Sequence, residues 1–178
     1  MLARPNKSKI ILINPMVYVQ DDCLSEGSSA VDNALSLLIS VVNVFDCGTI
    51  IICNKQGSIE SKDLANVSVV IDVDDLSIWK DGRLTSALSD CMTNVIFLGG
   101  AWLEEEVMLG AMQGAALGYD MRILVDLSKA RHESERSPAF QRLAQHGILT
   151  STVRQMAIEW AAAIDDAAVT DAIRMLLS

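Results

Sequence analysis

Short apolar runs alternate with longer amphipathic stretches along this chain, at spacings that predict strands and helices in turn. Lys9–Ile13 (KIILI) is a β-branched run that stops at Asn14-Pro15, a turn pair. Ser28 and Ser29 precede VDNALSLLISVVNVF, whose apolar residues recur at helical spacing, with Gly48 as the expected C′ residue. Thr49–Cys53 and Val67–Ile71 read as the second and third strands. Asp81 can cap a helix reaching about Cys91, and Val95–Leu98 is a fourth strand ending at Gly99-Gly100. A helix from about Leu103 to Leu117 stops at Gly118, and Met121–Val125 makes a fifth strand. Ser137-Pro138 has the residues of an N-cap and first helical position, and Gly147 would end that helix. Ile148–Thr150 is a short sixth strand, and Val153–Ile164 and Ala167–Leu177 are closing helices.

The strands are apolar throughout rather than alternating, which implies burial on both faces and hence a parallel sheet covered by helices. The expected fold is α/β, a three-layer sandwich around a six-stranded, mostly parallel, doubly wound sheet. Neither a linker nor an internal repeat interrupts it, so residues 1–178 are expected to form one domain. In such folds ligands sit at the carboxyl ends of the strands, where strand order switches. The positions to inspect are therefore Asn14-Pro15, Cys53-Asn54, Asp72, Gly99–Glu106 and Asp126–Lys129.

Composition narrows the function classes. Half the residues are hydrophobic, which excludes a disordered chain, yet no apolar run approaches the roughly 18 residues of a membrane span. The basic N-terminus before Lys9–Ile13 lacks the length and cleavage site of a signal peptide and reads better as the approach to a strand. A net charge of -9 argues against a nucleic-acid partner. The four cysteines (Cys23, Cys47, Cys53, Cys91) form no CxxC pair, so neither a zinc site nor a disulfide framework is expected. Reduced thiols in a cytoplasm follow. With His132 and His146 the only histidines, a His-rich metal site is excluded, and no cofactor is implied.

The segment Gly100–Tyr119 (GAWLEEEVMLGAMQGAALGY) resembles the nucleophile segment of the isochorismatase-like cysteine hydrolases: a strand, a glycine, a few turn residues, an acid, then Cys-Val opening a helix that closes at Gly-Tyr. Gly100, Glu104, Val107, Gly118 and Tyr119 fall on that pattern without a gap, and Glu106 stands where the cysteine would be. The resemblance covers nearly the whole chain and is closest to the YcaC-like branch. Ser77-Ile78-Trp79 is similar to that branch's Asn-Ala-Trp segment, DLSKARHESERSPAFQRLAQHG to the segment after its fifth strand, and TSTVRQMAIEW to its final turn and helix. It implies a Rossmann-like hydrolase fold, a pocket lined by Pro15, Cys53, Trp79, Gly100, Ala101 and Trp102, and a homo-oligomer. The apolar Ala167–Leu177 helix supports the oligomer, because it exceeds what one core-facing stripe needs.

The family's chemistry uses an Asp after the first strand as base, a Lys or Arg after the third, and the Cys, with backbone N–H groups holding the oxyanion. By register those positions are Asn14, Asp72 and Glu106. An amide cannot take the proton, Asp72 has the opposite charge, and a carboxylate cannot form and release a thioester. Each residue also has a plainer reading, which alone outweighs a special role. Asn14 is an ordinary turn former, Asp72 a solvated strand end, and Glu106 a first-turn acid favoured by the helix dipole. Substitutes are few. Asp21 and Asp22 lie too far past the first strand, Lys80 lies past the third-strand position, and Cys53 in apolar TIIIC reads as a buried, inert thiol.

If the parent geometry survives, Asp72 and Glu106 would face each other across a confined site. A lysine (Lys55, Lys80 or Lys129), a bound cation, water or one protonated carboxyl would then relieve them. Two function classes remain open: a non-catalytic isochorismatase-like protein acting as a binding or assembly subunit for a small-molecule ligand, and a divergent hydrolase of a small amide or ester that uses non-standard groups.

Overall fold

The structure is a computed structural model that describes residues 2–15, 28–53, 68–73, 77–89 and 92–178. Asp21, Asp22, Cys23, Asn54, Lys55 and Cys91 lie outside the described residues. Six strands, β1 (Ser8–Ile13), β2 (Thr49–Cys53), β3 (Ser68–Asp72), β4 (Val95–Ala101), β5 (Asp120–Lys129) and β6 (Leu149–Ser151), form one sheet in the order β3-β2-β1-β4-β5-β6. Every pairing is parallel, so the expected "mostly parallel" sheet is parallel throughout its described strands. The strand order reverses between β1 and β4, and the carboxyl ends of these two strands define the crevice of a doubly wound fold.

Strand alternation sorts the core into two layers. Ile11, Ile13, Ile52, Ile96, Leu98 and Ile123 pack against helices α2 (Gly82–Ser89), α3 (Met108–Ala116) and α4 (Glu133–Gln145). Ile10, Leu12, Phe97 and Leu124 pack on the other face against α1 (Ser28–Phe45), α5 (Val153–Ile164) and α6 (Ala167–Leu176). Trp160 on α5 is fully buried, with Phe45 and Phe97 edge-on to it at centroid distances of 5.3 and 5.7 Å. Truncating it would cost about 3–5 kcal/mol.

Several boundaries differ from the sequence expectation. Helix α1 ends on Asp46 in the left-handed conformation (φ 48), with the Cys47 N–H bonded to the Val42 carbonyl, so Asp46 and not Gly48 is the C′ residue. Helix α4 begins at Glu133 and carries Pro138 inside it, rather than starting at Ser137-Pro138. Pro138 and Ser134 are both exposed there, so water can solvate the Ser134 carbonyl that the proline leaves without its N–H. The Thr152 N-cap and Gln155 form a reciprocal capping box on α5, and the Asp81 carboxylate accepts the Arg83 N–H at 2.8 Å to open α2. The Arg83 side chain also holds the Asp81 carboxyl well below the usual carboxylate range, at about 2.

Strands β4 and β5 run further than their apolar cores. Beyond the pair Leu98 and Ile123 the register jumps to Gly100 and Ser128, so β5 bulges outward opposite Gly99. A Cβ on Gly99 would lie 2.9 Å from the Leu127 carbonyl oxygen, which is why glycine stands there. The carbonyls the bulge releases are satisfied locally. Ser128 Oγ donates to the Leu124 oxygen, and Arg136 donates to the oxygens of Val125 and Ser128, all at 2.7 Å.

Candidate functional site

The crevice at the switch point is built by the ends of β1 and β4. Asn14 follows β1 in a left-handed conformation (φ 46), which asparagine tolerates better than most residues. Its N–H extends the ladder to the Ile52 carbonyl at 2.8 Å, and its Nδ2 points to the Ala101 carbonyl at 3.4 Å. Gly100 beside it has φ 138, and a Cβ there would collide with the Ile13 backbone, so the two strand ends meet only through glycine. Pro15, Gly100 and Ala101 are buried, and Trp102 is half-buried at the mouth. The Ala101–Trp102 peptide is cis.

The chain then enters a π-helical turn, Leu103–Val107, whose three acids each accept from different donor groups. Glu106 Oε2 accepts the Trp102 N–H at 3.3 Å. Glu104 Oε1 accepts the N–H groups of Arg131 and His132 at 2.7 and 3.1 Å, tying this turn to the start of α4. Glu105 pairs with the Arg131 guanidinium at 2.8 Å. Arg131 also lies over the Trp102 ring, 4.8 Å from its centroid, with Lys129 at 5.6 Å. The Glu105 hydrogen bond above all, then the charges of Glu105, Glu106 and Glu104, raises the Arg131 pKa.

Asp72 and Glu106 do not share this crevice. Cys53 packs with Ile51 against Leu35 and Ile39 of α1, and Asp72 is in register with Cys53. Neighbours in register point to the same side, so Asp72 is directed to the α1 face while Ile71 and Val73 turn to the other. Glu106 belongs to the turn that opens α3, on that other face. Two strands, β2 and β1, also separate β3 from β4, a backbone span of about 14 Å at ordinary strand spacing. Asp72 instead lies near Arg83, whose guanidinium bonds its carbonyl at 2.6 Å. The pairing fails because β3 runs one residue further than its apolar run, through Asp72.

Cys53 is buried, and burial first, then the Asp72 charge, pushes its thiol pKa up. Trp79 sits in the core under α3, donating to the Gly110 carbonyl at 2.8 Å and stacking on Tyr119. Among the described residues no cluster of three or more His, Cys, Asp or Glu is arranged to hold a metal. Sequence reasoning missed Arg131, whose only signal was a basic residue two positions beyond the end of β5.

The sheet order and the switch-point crevice define a parallel, doubly wound α/β fold, and isochorismatase-like hydrolases are among the solved structures that share it. The YcaC gene product of Escherichia coli, an octameric hydrolase of unknown specificity, is similar at TM-score 0.82 and 16% identity, over 99% of this chain and 90% of that one. MAR1 ribonuclease from Caenorhabditis elegans is similar at TM-score 0.83 and 14% identity, over 100% and 93%. The pyrazinamidase of Pyrococcus horikoshii, solved with zinc, is similar at TM-score 0.67 and 13% identity, over 82% and 99%. No protein-family model and no curated protein matches the chain. At these identities the likeness establishes the fold and leaves the chemistry to the residues.

Proposed function

We propose that this protein is a non-catalytic descendant of the isochorismatase-like hydrolases, a binding or assembly subunit that has lost thiol-dependent amide and ester hydrolysis. One observation carries the reading: the first turn after β4 offers the Glu106 carboxylate, bonded to its own Trp102 N–H, where a thiolate nucleophile would act. Asn14 at the end of β1 adds an amide where a proton acceptor is required, and its Nδ2 is turned to the Ala101 carbonyl. Trp102, flanked by Lys129 and Arg131, supplies an aromatic plate and positive charge suited to holding a small ligand.

The test is a screen of small amides, esters and thioesters, with intact-mass detection of any acyl adduct. Neither turnover nor adduct is expected from the parent chain or from Glu106→Gln. Turnover that Glu106→Gln abolishes would establish the second reading, a divergent hydrolase with Glu106 activating a water. Glu106 is half-buried and hydrogen-bonded, the condition such a role requires, so this reading stays in the experiment. RNA belongs in the same screen because one structural neighbour is a ribonuclease, but the -9 charge opposes a polyanion and no cleavage is expected.

The assembly half of the proposal is a cytoplasmic homo-oligomer. Met175, Ile158, Ile164 and Leu176 are 76%, 52%, 43% and 38% exposed on α5 and α6, an apolar surface beyond what one chain buries. A monomer mass in light scattering at low salt would reject it.

A further inference from the structure

The end of the sheet opposite the crevice carries a pocket of its own. It has a volume of about 460 Å³, within the range of small-ligand sites. Val95 at the start of β4, Ala162 on α5 and Leu2 give it apolar walls, and Arg4, Lys7 and Asn94 line its polar side. The basic side is held in place by backbone bonds. Arg4 accepts from the Lys7 N–H at 3.0 Å and from Ser8 Oγ at 2.7 Å, and the Lys7 carbonyl accepts the Asn94 N–H at 3.0 Å. Ala3 just before them is anchored through its N–H to Glu159 Oε1 at 2.6 Å.

The charges are the unusual part. This chain has 23 acidic and 14 basic side chains, so bases are expected to find acids nearby. Among the described residues, no side-chain hydrogen bond or ion pair engages either Arg4 or Lys7. Glu159, the acid that anchors Ala3, already binds Arg122 through both carboxylate oxygens at 2.7 and 2.8 Å. Two cations with no side-chain partner among the described residues, on a fixed backbone beside an apolar cleft, match a small anion with an aliphatic body. Leu2, 54% exposed at the same rim, would gain cover from such a body.

We propose that this pocket binds a short-chain aliphatic carboxylate, its head group between Arg4 and Lys7 and its chain along Val95 and Ala162. The site is independent of the crevice at the carboxyl ends, and the failure of either reading leaves the other standing.

Equilibrium dialysis of radiolabelled hexanoate against the untagged chain tests it. Saturable binding is expected, with hexanol and acetate each competing much more weakly than unlabelled hexanoate. Arg4→Ala and Lys7→Ala should each weaken binding about two- to five-fold, the range for exposed charge contacts. Raising salt should weaken it further. Ala162→Trp, which fills the apolar wall and leaves both cations, should abolish binding, with circular dichroism verifying the fold of each variant. Three results would overturn the proposal: no saturable binding up to about 10 mM, hexanol competing as well as hexanoate, or unchanged affinity in the Arg4→Ala, Lys7→Ala double variant.

Discussion

The Trp102 N–H donates to the Glu106 carboxylate at 3.3 Å, so the turn after β4 closes on itself. Arg131 lies in the field of the same carboxylate. Glu106 is thereby a stabilising first-turn acid rather than one half of a repelling pair with Asp72.

Glu106→Gln is therefore expected to destabilise the fold, by up to about 1 kcal/mol at neutral pH and low salt. The amide keeps an acceptor but loses the charge that faces Trp102 and Arg131. Urea denaturation at low and high salt checks this, and the loss should shrink with salt. Stabilisation by the substitution would mean that repulsion governs the turn.

Asp126 in the β5 bulge accepts the Val153 N–H at 2.9 Å and steadies the start of α5. Burial raises its pKa, and that outweighs the lowering by the Val153, Asp126 and Leu127 N–H groups. The folded state thus holds the proton more tightly than the unfolded chain, whose value is about 3.9. This contribution is fully present below the unfolded value and is lost as pH rises through the folded one. The stability of Asp126→Asn relative to the parent should therefore rise with pH across that window and level off above it. Urea midpoints collected between about pH 3 and 7 give the slope. A relative stability that falls with rising pH would show that the Val153 bond outweighs burial.

Arg122 and Glu159 form a buried pair, their side chains 8% and 18% exposed, that joins β5 to α5 and, through Ala3, to the N-terminal segment. Glu159→Gln leaves the buried guanidinium with Asp120, which pairs with it at 3.1 Å, and a loss of about 1–3 kcal/mol is expected. Replacing both residues by methionine should cost clearly less than the two single changes added together, which a double-mutant cycle measures. Additive losses would show the two side chains to be uncoupled.

Cys47 and Cys53 are buried, and the raised Cys53 pKa further lowers its thiolate fraction. Iodoacetamide at neutral pH should leave both unlabelled in the native protein and modify both in urea, as peptide mass spectrometry would show. Native labelling of Cys53 would contradict its burial and reopen it as a nucleophile.

Most of the architecture was legible in the chain because strands buried on both faces need uninterrupted apolar runs, and those runs are local. Lys9–Ile13, Thr49–Cys53 and Val153–Ile164 read directly as elements, and the glycines at 100 and 118 bracket the turn and helix that carry Glu106. Tertiary structure decided what depends on register and long-range pairing. One residue of β3 pairing sends Asp72 to the α1 face, because strand side chains alternate with a period of two. The β5 bulge exists only against Gly99, and Arg131 reaches Glu105 and Trp102 only once that bulge has set where β5 ends. The pocket at Arg4 and Lys7 joins residues more than 150 positions apart along the chain, and no local pattern announces such a meeting.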